Sequence, residues 1–211
     1  MPISSPWHMP VVLHYATAVK PVRVLDIGVG MGAYGFMLRQ FLDVTHERIK
    51  PETWKTVIDG VEVFPAYENP VWSYAYSSIN MGDVREVLPK LGEYDLIICA
   101  DVLEHFPREE AQQLVKDFLA KAPVLIATTP RFDYPQGAWG GNEAETHHCT
   151  LDSSDFAHLC ARNDTCETAV YVCVRPGGPA QLVKQAARVC PAVKLPWWKY
   201  QVARVLRKLG L

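Results

Sequence analysis

None of the six cysteines (Cys99, Cys149, Cys160, Cys166, Cys173 and Cys190) forms a Cys-x-x-Cys pair or a zinc-finger spacing. That removes a disulfide framework and structural zinc from consideration, and several of these thiols lie in apolar runs where they pack as small hydrophobes. No apolar run approaches the roughly 18–20 residues that cross a bilayer. The first twenty residues lack the charged start, apolar segment and cleavage site of a secretory signal. Reduced thiols and a cytoplasmic protein are expected. There is no internal repeat, and no acidic residue follows Glu167. The last 44 residues carry 8 positive charges, whereas the first 167 hold 13 basic against 23 acidic residues, a balance of −10. The two parts are electrostatically different objects.

What is present is enough for one buried core. With 211 residues, 49% hydrophobic and 21% charged, the composition is that of a folded chain of one domain. Residues 22–28, VRVLDIG, read as a short strand that runs into glycines, and residues 34–44 carry apolar side chains at helical spacing. Strands are predicted again at 56–63, just before Gly82, at 94–100 and at 124–128, with helices at 72–76, 84–91 and 108–121 between them. Alternation of this kind builds parallel βαβ units with right-handed crossovers. The expected fold class is α/β, a single Rossmann-like doubly wound, mostly parallel sheet with helices on both faces, plus basic C-terminal helices.

Residues 129–150 show no period and are rich in glycine, polar groups and aromatics, the composition of a functional loop. Beyond it, 152–162 reads as a capped helix and 167–174 as a sixth strand, before Pro176-Gly177-Gly178-Pro179 breaks the chain. The domain is therefore placed at 1–175 and a basic helical extension at 176–211. In the extension, Trp198, Val202, Val205, Leu206 and Leu209 share a helical face, with Lys199, Arg204, Arg207 and Lys208 largely elsewhere. Such a helix fits an anionic membrane surface, a second subunit, or the sheet itself.

Leu25-Asp26-Ile27-Gly28-Val29-Gly30-Met31-Gly32 places a carboxylate before a turn whose glycines let backbone approach a ligand closely. The match of Gly30-x-Gly32-x-x-Gly35 to the dinucleotide fingerprint keeps a nicotinamide oxidoreductase open, although Asp26 would repel a pyrophosphate. The Asp26-to-Gly32 segment resembles motif I of class I S-adenosylmethionine-dependent methyltransferases. Asp101-Val102-Leu103-Glu104-His105-Phe106 resembles their segment after strand four. With Gly82-Asp83-Val84-Arg85-Glu86 and Asn142-x-x-Glu145-x-His147, the stretch 22–156 is similar to a bacterial group of that family. Arg131 to Tyr134, His148 and Cys149 depart from its pattern.

The resemblance implies S-adenosylmethionine as cofactor, with Asp26, Gly28, Gly30, Gly32, Glu62, Asp83, Val84 and Asp101 around it. Glu62, with Asp59 as its competitor, would accept from the ribose hydroxyls. Asp83 would accept from the adenine amino group while capping a helix, and Val84 would pack on the ring. Methyl transfer then needs a base facing the methyl: His147, oriented by Glu145, is the first candidate, followed by His105 and Asp101. His8, His14, His46 and His158 receive no role. Glu143, Glu145, His147, His148 and Cys149 could together ligate a metal, but adjacent histidines rarely share an ion and none is assigned. The expected partner is a small-molecule, glycan or lipid-linked acceptor. A catalytically silent cofactor-binding protein stays open, and without a base-flipping segment nucleic acid is not expected.

Overall fold

The computed structural model describes residues 5–190. Seven strands form one sheet: β1 (Arg23–Ile27), β2 (Val57–Glu62), β3 (Ser78–Met81), β4 (Leu96–Ala100), β5 (Val124–Pro130), β6 (Leu159–Asp164) and β7 (Thr168–Val174). The helices are α1 (Met9–Val19), α2 (Ala33–Leu42), α3 (Pro70–Ala75), α4 (Val84–Val87), α5 (Arg108–Lys121) and α6 (Ala180–Arg188). In space the strands run β3-β2-β1-β4-β5-β7-β6. The first five are mutually parallel, and β7 is antiparallel to both its neighbours.

Local sequence explains most of this order. Every residue of β4, LIICA, is buried, as a strand covered on both faces requires. In α5 the buried residues Ala111, Leu114, Val115, Phe118 and Leu119 recur at helical spacing, with Glu109 and Glu110 in the first turn and Lys121 in the last, as the helix dipole favours. Two apolar layers result: α1, α2, α3 and α6 cover one face of the sheet, and α4 and α5 cover the other.

The predicted helix at 152–162 is corrected by the structure. Asp152 and Asp155 do form a reciprocal capping box, but it closes only the single turn Ser153–Asp155. Phe156 then stacks on Tyr171, with ring centroids 3.9 Å apart. Leu159–Asp164 pairs antiparallel with β7 through a tight connection at Thr165. Local capping chemistry was right about the start, and tertiary pairing determined what followed.

The first part of the basic extension is α6, whose Val183 and Ala186 are buried in the layer with α1. A ring nitrogen of His14 lies 2.9 Å from the Ala186 carbonyl. The amphipathic stretch from Pro196 onward lies outside the described residues. Among the described residues no helix is long and apolar enough to cross a membrane, and all six cysteines are free.

Candidate active site

Strand order reverses beside β1, which has β2 on one side and β4 on the other. Loops leaving the carboxyl ends of these strands must diverge there and leave a crevice. A cavity of about 380 Å³ occupies it, bordered by the glycine turn after β1, the end of β2, the start of α4 and the loop after β4. Gly28 turns the chain at φ 75°. A Cβ at that position would also lie 2.4 Å from Val102 Cγ2. The chain can therefore bend across the sheet edge only without a side chain there.

Glu62 closes the bottom of the cavity. Its Oε2 accepts from Gly30 N at 2.8 Å, and its Oε1 from Val63 N and Phe64 N at 2.9 Å each. Burial pushes its carboxyl above the usual range, against the pull of those three N–H groups. Asp83 accepts from Arg85 N and caps α4, and the Arg85 guanidinium holds its carboxyl below the usual range. Val84 is buried on the cavity wall. The competitor Asp59 is turned away, bonded to Ser78 and Tyr94.

Asp101 follows β4 with φ 55°, an unfavourable backbone for a residue with a side chain. Its amide is held by the Thr128 carbonyl at 3.0 Å, and its Oδ1 accepts from Thr128 Oγ1 at 2.7 Å. Its other carboxylate oxygen lies 3.4 Å from Nε2 of His8, a fully buried residue whose Nδ1 contacts Thr168 Oγ1 at 2.7 Å. Sequence reasoning gave His8 no role. It precedes α1, and nothing in its neighbourhood along the chain signals that α1 lays it against the end of β4.

The long loop folds back over this edge. Tyr67 Oη donates to Glu145 at 2.9 Å, and Asn142 Nδ2 donates to Tyr67 Oη. Glu145, the group expected from its spacing to orient His147, thus engages Tyr67. The His147 Nδ1 instead donates to the Tyr134 carbonyl at 2.7 Å. The His105 and His147 rings lie 4.9 Å apart between centroids. Burial lowers the pKa of both, which favours neutral imidazoles near pH 7. A second cavity, of about 330 Å³, lies under the same loop, with His147, Phe132 and Tyr134 on its wall. His148 borders both cavities.

No protein-family model matches the sequence, and no curated protein matches it. Solved structures do. The N-terminal domain of EvdMO1, in the presence of SAH and D-fucose, is 17% identical with a TM-score of 0.52, over 80% of this chain and 82% of that one. Magnesium protoporphyrin IX methyltransferase from Synechocystis PCC 6803 with bound SAH is 18% identical with a TM-score of 0.51, over 78% and 80% of the two chains. An O-methyltransferase family protein from Burkholderia thailandensis gives 11% and 0.52, over 78% of this chain and 55% of that one. This chain shares the fold of solved methyltransferases.

Within that fold, Asp26 lies in β1, two residues before Gly28. It is 1% exposed and sits beneath the glycine turn, with its Oδ2 accepting from Tyr76 Oη at 2.6 Å. Burial raises its pKa to about 7; the Tyr76 bond opposes the rise and nearby Glu62 adds to it. Unfolded aspartate releases its proton near pH 4. The folded state therefore binds more protons between about pH 4 and 7. Stability from this group is complete below that window and is lost as pH rises through it. Urea midpoints at pH 5 and pH 8 check this: the wild type should lose stability relative to Asp26→Asn on going to pH 8. An unchanged difference between the two proteins would mean that Asp26 keeps its ordinary acidity.

Proposed function

We propose that this chain is an S-adenosylmethionine-dependent methyltransferase that methylates an oxygen of a small-molecule, glycan or lipid-linked acceptor. The observation that carries the reading is the charge of the main cavity. Glu62, Asp83, Asp101, Glu110 and Glu145 line it against the one guanidinium of Arg85. Such a wall attracts a ligand bearing sulfonium and ammonium groups and repels a pyrophosphate, which counts against the nicotinamide alternative. The cavity volume is also in the range of small-molecule sites.

The residues present fit that cofactor. Glu62 has both oxygens fixed by backbone donors, which take three of its four lone pairs and leave one on Oε2 for a ribose hydroxyl. Asp83 and Val84 take the adenine, and the turn at Gly28, Gly30 and Gly32 gives the methionine end close access to backbone. Asp26 supports that turn from below. When bound, the cofactor supplies an activated methyl, so the protein's part is to align the acceptor and handle its proton. His147, with His105 and Asp101 beside it, is assigned to that task, and the acceptor to the second cavity.

Calorimetry with S-adenosylmethionine, S-adenosylhomocysteine and NADH tests the reading. Binding of the first two and not of NADH is expected, and the reverse pattern would overturn it. In His147→Ala, cofactor affinity should stay near wild type while turnover on a labelled-methyl acceptor screen falls by about 10²-fold or more. Lost cofactor binding in that variant would remove the loop from the acceptor side.

A further inference from the structure

Glu104 is 1% exposed, yet neither oxygen of its carboxylate has a hydrogen-bond partner among the described residues. An isolated carboxylate in that position costs several kcal/mol unless it is neutralised or paired with a cation. It is not remote from polar groups. One of its oxygens, a ring nitrogen of His105 and a ring nitrogen of His147 all lie within 4.8 Å of one another.

The hydrogen bonds of both imidazoles run to backbone carbonyls. His147 uses Nδ1 on the Tyr134 carbonyl, which fixes the proton there and leaves the Nε2 lone pair for another group. In His105, Nδ1 faces the Thr146 carbonyl at 3.2 Å and Nε2 faces the Asp101 carbonyl at 3.1 Å. A neutral imidazole has one N–H, so one of these contacts sets a lone pair against a lone pair. A small rotation of that ring toward a cation would exchange a repulsive contact for a bond.

We infer that Glu104, His105 and His147 form a binding site for one divalent first-row transition-metal ion. Two imidazoles and a carboxylate suit such ions, and a three-residue set leaves coordination positions open. The backbone is already arranged around it: Glu104 and His105 share the single turn Leu103–His105 after β4. The amide of His148 donates to the Glu104 carbonyl at 2.8 Å and pins the loop that brings His147 across. Since His105 borders the main cavity and His147 the second, the ion lies on the wall between them. Its open positions are then available to an acceptor oxygen. This use of the ion rests on the methyltransferase reading, and His147 then acts on the acceptor through the ion it holds.

Metal binding is measured without the methyl donor. After removal of metals with a chelator, Mn²⁺ is followed by the spin-resonance signal of the free ion, and Co²⁺ by visible absorption. One ion per chain is expected, with nitrogen ligation evident in the Co²⁺ spectrum. Glu104→Gln and His147→Asn should each weaken affinity by at least about tenfold. His147 is a half-buried loop residue, so its variant remains informative if Glu104→Gln does not fold. Absence of a bound ion in the wild type, or equal affinity in wild type and His147→Asn, would overturn the site. Calorimetry with S-adenosylmethionine on the same samples keeps the two ideas apart: a donor bound without metal sinks only the metal site, and metal bound without a donor sinks only the methyltransferase reading.

Discussion

On substitution of Glu62 by alanine, S-adenosylmethionine binding is expected to fall by about tenfold or more, and the protein to lose about 2–4 kcal/mol of stability. Two causes act together. The carboxylate is the partner of three backbone N–H groups, those of Gly30, Val63 and Phe64, and each buried donor left alone costs about 1–3 kcal/mol. Water entering from the cavity recovers part of that, which sets the lower figure. A hydrogen bond from a ribose hydroxyl to the remaining lone pair of a charged acceptor is worth about 1.5–3 kcal/mol, which is where the loss of affinity comes from. Glu62→Gln separates the effects: its amide group must face at least one of the same N–H donors, so stability still falls while the side-chain volume stays. Urea unfolding reads the first effect and calorimetry the second. Donor affinity within threefold of wild type in the alanine variant would show that Glu62 serves the loop alone.

The part of the fold that was legible in the sequence is the part governed by local rules. Strands β1, β4 and β5 announce themselves as short apolar runs that end in glycine or polar residues, and α5 is bounded as its periodicity predicts. Glu62, Asp83 and Asp101 could be placed because residues at the carboxyl ends of parallel strands share one edge whatever the tertiary detail. Three things could not be read. The capping box at Asp152 gives no length for its helix, since β7 decides by pairing with Leu159–Asp164. How deeply an acid in the first strand is buried, and what it bonds, depends on what lies behind it, and Tyr76, fifty residues away, donates to Asp26. The assembly of Glu104 with His147 needs the loop path, which the amides of His148 and Cys149 fix on the Glu104 carbonyl and which no period records. Arg39 is a further instance: on an otherwise amphipathic helix it is 1% exposed, held by Asp43, the Thr56 and Ala75 carbonyls and the face of Trp54.

Gly35→Ala is expected to destabilise the protein by about 2–3 kcal/mol, although alanine normally favours a helix interior over glycine by about 1 kcal/mol. Position 35 lies in the first turn of α2, and a Cβ there would meet two carbons of the Tyr76 ring at 2.2 and 2.3 Å and its hydroxyl oxygen at 2.5 Å. That ring has little freedom to move. Its hydroxyl accepts from Gly35 N at 3.0 Å and donates to Asp26 at 2.6 Å, and the residue is 8% exposed. Displacing it breaks both bonds beneath the glycine turn and leaves the buried Asp26 carboxylate without its phenol. In a Tyr76→Ala background the steric cause is gone, so the same change at position 35 should be neutral or favourable, giving a coupling of at least about 2 kcal/mol in a double-mutant cycle. Equal urea midpoints for wild type and Gly35→Ala would refute this. The third glycine of Gly30-x-Gly32-x-x-Gly35, which kept a dinucleotide ligand open in the sequence, is thereby explained by a tyrosine of the chain's own core.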